Sequence, residues 1–158
     1  LITFISVSYL LGQTTGNPKI QNIKGYLFYN QDKRREKAEG TMSENIIDNN
    51  DFALWNTIIG EGSAKGSSEN TLVVVEISDN LKRTSNGFVK LTVYDEKNKV
   101  IFTQKQYFSI LESGNIFYAP FLLYDTGCGT IKIKGELIDN NNKVYSNFEK
   151  SISFECGE

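Results

Sequence analysis

The sequence predicts an all-β domain folded as an antiparallel sandwich. Three observations carry this reading. Apolar and polar residues alternate at the two-residue period of strands, as in Val89-Lys90-Leu91-Thr92-Val93. Gly, Asn and Asp cluster at short intervals between these runs, where turns belong. No stretch carries the apolar period of a long helix, and only two prolines interrupt the chain. A chain of 158 residues is one domain in length. At that size a fold buries roughly 70% of the surface its unfolded chain exposes.

The first element is set apart from the rest. Leu1 to Gly12 is apolar and holds no charged side chain. It is too short for a membrane-spanning helix, which needs ~20 residues. It matches the hydrophobic middle of a secretory signal peptide. Residues 1–16 are therefore read as the remnant of such a peptide and 17–158 as one sandwich domain, secreted or periplasmic. The alternative for the apolar run is a strand of the domain.

Asn22 to Tyr29 reads as the first strand, aromatic in its second half. Gln31 to Lys37, of mixed charge, reads as a solvated turn or short helix. Thr71 to Ile77 is β-branched and almost wholly apolar, which predicts a central strand covered on both faces. Phe88 to Tyr94 turns Val89, Leu91 and Val93 to one face and Phe88, Lys90, Thr92 and Tyr94 to the other. A turn at Asp95-Glu96-Lys97-Asn98 returns the chain over Lys99 to Phe108, pairing Val93 with Val100 and Leu91 with Phe102. Asn115 to Tyr124 is a further strand, which Pro120 sends to a sheet edge or a bulge. In the last hairpin Asp139 to Asn142 is the loop, pairing Leu137 with Val144 and Ile133 with Phe148. A one-residue slip there would bury Lys132, Lys134 and Glu136.

Residues 70 to 156, and Tyr124 to Ile133 in particular, resemble the bacterial immunoglobulin-like or fibronectin-III-like sandwiches of secreted proteins. The resemblance implies an immunoglobulin-like arrangement of the sheets and carries over no functional residue. Two departures mark it. Gly129 stands where the tyrosine corner would place its Tyr, and the single Trp55 precedes both cysteines rather than lying between them.

Composition excludes much chemistry. The chain has no histidine, which removes Ser-His-Asp and Cys-His catalysis and every His-ligated metal site. A formal net charge of -2 argues against a nucleic-acid partner. Gly60 to Ser67 fails both phosphate-loop patterns, because Lys65 precedes Gly66 and stands where a dinucleotide fingerprint needs its third Gly. Asp48 to Asp51 and Asp139 to Asn142 are oxygen-rich, but neither has the spacing of a calcium loop. No cofactor and no metal is expected.

Cys128 and Cys156 flank the open end of the last hairpin, and in an exported chain such a pair is expected to be bridged. Strict alternation sets them on opposite faces, so the bridge needs a kink, for which Gly127 and Gly129 are suited. Aromatics are the remaining signal. Trp55, Phe88, Tyr94, Tyr107, Tyr118, Tyr124 and Tyr145 are candidates for a contact surface, since rings offer large area at low entropic cost. The expected function is a non-catalytic module that binds or positions a protein or carbohydrate. The alternatives are a histidine-free carboxylate hydrolase and a structural subunit of a surface assembly completed by strand exchange.

Overall fold

The computed structural model describes residues 18–29, 41–43, 45–47, 70–79, 84–111, 116–124 and 129–154. The apolar run 1–16, the charged stretch 31–37, Asp48–Asp51, Trp55, the glycine-rich segment 60–67, Cys128 and Cys156 lie outside them.

The described chain is an antiparallel β-sandwich. Its strands are β1 (Lys19–Tyr29), β2 (Thr41–Met42), β3 (Asn70–Ser78), β4 (Ser85–Tyr94), β5 (Val100–Ile110), β6 (Ile116–Tyr124), β7 (Gly129–Ile138) and β8 (Val144–Phe154). One sheet has the order β2-β1-β3-β6 and the other β5-β4-β7-β8. The chain changes sheet between β3 and β4, between β5 and β6, and between β6 and β7. Every strand pair is antiparallel.

The period-two pattern builds the core. Ile23, Leu27, Val73, Val75, Ile77, Phe121 and Leu123 point inward from the first sheet. Val89, Leu91, Val93, Phe108, Ile131, Ile133 and Leu137 meet them from the second. Two inward positions are glycines because the layers come close. A Cβ at Gly25 would stand 3.0 Å from Ile152 Cδ1, and one at Gly135 3.1 Å from Ile20 Cδ1.

Both long hairpins of the second sheet close with one device. Asp95 and Asp139 each accept two backbone N–H groups through Oδ1: Lys97 and Lys99 at 2.9 and 2.8 Å, Asn141 and Lys143 at 2.8 and 2.8 Å. Asn98 and Asn142 take positive φ, 59° and 62°, which Asn tolerates. A register irregularity follows at Val93/Tyr94 and at Leu137/Ile138. This turn shifts both expected pairings by two residues. Val93 pairs with Phe102 and Leu91 with Gln104, rather than with Val100 and Phe102. Leu137 pairs with Ser146 and Ile133 with Lys150, rather than with Val144 and Phe148. An even shift preserves the face of every side chain, so apolar alternation is blind to it.

β3 is central, between β1 and β6, as its apolar run predicts. Its outer face is only half-covered, however: Leu72 and Val74 are partly exposed. The flanking edges of this sheet are occupied. On the β1 side, Gly25 N–H donates to Asn45 Oδ1 at 3.0 Å and Leu27 N–H to Ser43 Oγ at 2.8 Å. On the other side β6 is an edge strand, as Pro120 requires, and Gln106 Nε2 on β5 donates to the Pro120 carbonyl at 2.6 Å.

Candidate binding surface

Alternation turns a second set of residues outward on each sheet. On the first, the register aligns Tyr26, Leu72 and Leu122 in one row and Lys24, Val74 and Pro120 in the next. Asn22, Glu76 and Tyr118 form the third. Tyr118 is 56% exposed and Tyr124 70%. Six residues of one strand separate them, about 20 Å at ~3.3 Å per residue. One ion pair interrupts this aromatic and aliphatic face: Lys24 Nζ lies 2.7 Å from Glu76 Oε1. The Lys24 pKa is raised, first by its hydrogen bond to Glu76 and then by that carboxylate's charge, with Tyr26 and Tyr118 adding to the effect and burial opposing it. The pair is therefore satisfied within the face.

On the second sheet Phe88, Lys90, Thr92 and Tyr94 face outward from β4, opposite Tyr107, Lys105, Thr103 and Val100 on β5. On β7 their neighbours are Ile138, Glu136, Lys134 and Lys132. Phe88 and Tyr107 meet edge-on, centroids 5.8 Å apart. Lys105 Nζ sits 4.1 Å over the Phe88 ring, so the flat face of Phe88 is taken, while Tyr107 is 56% exposed.

The seven aromatic candidates thus divide. Tyr118 and Tyr124 share one outer face; Phe88, Tyr94 and Tyr107 share the other. Tyr145 joins neither: it is partly buried against the core, and a Cβ at Gly87 would stand 3.1 Å from its hydroxyl. Burial, followed by the charges of Asp139 and Asp79, pushes its pKa up to about 12. Trp55 lies outside the described residues. Tyr26, Leu72 and Leu122 were not singled out from sequence. For Leu72 the signal was the unbroken apolar run of β3, which implies two apolar faces but not how fully each is covered.

Several carboxylates among the described residues are engaged in structure. Glu76 pairs with Lys24, Glu136 lies 2.7 Å from Lys134, and Glu149 2.9 Å from Lys132. Asp95 and Asp139 close turns, and Glu96 accepts the Thr130 N–H. Among the described residues no group of three or more metal-binding side chains gathers, and no helix is long and apolar enough to cross a membrane.

No protein-family profile and no curated relative matches the chain. Solved structures similar to it include a β-glucuronidase from glycoside hydrolase family 2, with TM-score 0.46 and 15% identity over 54% of this chain and 10% of that one. A calcium-binding mutant of Bacteroides uniformis β-glucuronidase 2 has TM-score 0.47 and 8% identity, over 54% of this chain and 11% of that one. Bifidobacterium dentium β-glucuronidase complexed with coumarin-3-O-glucuronide has TM-score 0.46 and 8% identity, over 88% and 18%. The chain therefore spans less than a fifth of each of these proteins, and nothing of their activities transfers to it.

Proposed function

We propose that this chain is an exported, non-catalytic binding module that docks on a protein partner through the outer face of the β1–β3–β6 sheet. The carrying observation is the run of Tyr26, Leu72, Val74, Leu122, Tyr118 and Tyr124, partly or largely exposed on one face around a self-neutralised ion pair. Protein interfaces favour this composition: tyrosine-rich, with charge depleted at the centre. On the other sheet Lys105 covers the face of Phe88, so that ring offers no protein-docking platform. The immunoglobulin-like reading draws support from the strand order, in which a β5-β4-β7-β8 sheet packs on one built around β1-β3-β6. Export rests on the charge-free apolar N-terminus and the cysteine pair. Strand exchange is disfavoured at β6, where Pro120 and Gln106 occupy the edge.

The test is cross-linking of the full chain in an envelope fraction, followed by identification of the partner. Leu72→Lys and Leu122→Lys should abolish the cross-link and leave the thermal midpoint unchanged. Thr103→Lys, on the opposite sheet, should retain it. A large fall in thermal midpoint for the leucine variants would show that the chain itself covers this face and would overturn the reading. So would an unchanged cross-link.

A further inference from the structure

The second outer face carries an unbalanced knot of charge. Lys90 and Lys105 stand directly opposite each other on adjacent strands, and Lys90 is flanked on β7 by Glu136. Like charges in direct opposition destabilise a sheet unless something compensates them. Glu136 is shared: it lies 2.7 Å from Lys134 and 3.9 Å from Lys90. Lys105 is held by neutral groups, the Phe88 ring at 4.1 Å and Asn142 Oδ1 at 3.1 Å. Two ammonium groups, Lys90 and Lys134, thus share the Glu136 carboxylate, Lys132 takes Glu149, and Lys105 faces no carboxylate across its strand pair. Lys105 is also fixed in place, so an incoming anion meets a cation already ordered.

The surroundings define the class of anion. Thr92 and Thr103 are cross-strand neighbours one row from the lysines; Thr92 is buried, whereas Thr103 is exposed and offers its hydroxyl to a ligand. Hydroxyls both donate and accept, as the rim of a sugar requires. On the other side of the lysines Tyr107 is exposed and locked edge-on against Phe88, which leaves a rigid ring for the apolar face of a sugar. We infer that this corner binds an acidic polysaccharide, with a carboxylate or sulfate between Lys90 and Lys105 and its sugar ring against Tyr107. The site is independent of the proposed protein-docking face, because it lies on the opposite sheet.

The experiment is calorimetric titration of the full chain with polygalacturonate and heparin, with dextran as the neutral polymer and polyglutamate as the acidic polymer without sugar. Binding is expected for one or both acidic polysaccharides, weakening as salt rises. Losing a charge-assisted contact should weaken it about tenfold or more in Lys90→Gln and in Lys105→Gln. Lys105→Arg should keep binding, Tyr107→Ala should weaken it, and the turn variant Lys97→Gln/Lys99→Gln should match the parent chain. Equal binding of dextran, binding of polyglutamate as tight as that of the polysaccharides, an equal loss in the turn variant, or no binding to either acidic polysaccharide would overturn the inference. Circular dichroism and the thermal midpoint verify folding of each variant. Should Lys105→Gln unfold, Lys90→Gln and Tyr107→Ala decide the matter.

Discussion

Glu96 Oε1 accepts the backbone N–H of Thr130 at 2.8 Å, tying the tip of the β4–β5 hairpin to the start of β7. The carboxylate occupies the space a side chain at position 129 would need, and Gly129 takes a φ of 100° that L residues rarely adopt. One turn therefore fixes where the next strand of the same sheet begins. Glu96→Ala should cost about 1 kcal/mol, the net worth of one hydrogen bond. Gly129→Ala should cost more, about 1–3 kcal/mol, because it adds backbone strain and evicts the carboxylate. Denaturant unfolding of the two variants checks both the ordering and the sizes.

The cysteines follow directly from this anchor. Gly129 pairs with Phe154 at the end of the β7–β8 ladder, and Cys128 and Cys156 stand one and two residues beyond it in sequence. The oxidised protein is expected to show no titratable thiol, and reduction should lower its stability by about 3–4 kcal/mol, the range for a loop of this length. Thiol titration before and after denaturation decides this; two reactive thiols in the oxidised, unfolded chain would refute it.

Tyr145 should titrate late. Its folded pKa of about 12 exceeds the ordinary value of 10.0, so between these values the native state keeps a proton the unfolded state has lost. Stability must then fall as pH rises through that window, and be unaffected by this group below it. Ultraviolet titration of phenolate should show a late component that is missing in Tyr145→Phe. That variant should also lose stability less steeply at high pH than the parent chain.

Gly135, like Gly25, lies where the layers leave little room for a side chain. Gly135→Val should destabilise by about 1–3 kcal/mol through overpacking against Ile20 and Ile23. A second substitution, Ile20→Val, should recover part of the loss, and thermal unfolding of the single and double variants measures the coupling.

Most of the strand architecture was legible because β1, β3, β4, β6 and β7 each bury one face and alternation reports that directly. The exact partners were not. Ile133 could face Phe148 or Lys150 without changing which side chains meet the core, and only the Asp139 turn, with its positive-φ Asn142, selects the second. The candidate surface divides in the same way. Tyr118 and Tyr124 are six residues apart, so alternation alone puts them on one face. Tyr145 follows the Leu137/Ile138 register irregularity across the ladder, and its inward turn over Gly87 depends on that local shift. The knot at Lys90 and Lys105 depends on register between strands, which composition does not carry.

The Pro120–Gln106 contact has a consequence for how copies of this domain can meet. A proline ring offers no N–H to a new neighbour, and the carbonyl beside it is already accepting from another sheet. An extended segment laid along β6 would lose its main-chain bonds at the middle of the strand, where continuous pairing matters most. On the far side Ser43 and Asn45 hold two N–H groups of β1, and β2 is the outermost strand there. At β6, crowded molecules are therefore steered from strand addition toward contacts between their broad outer surfaces.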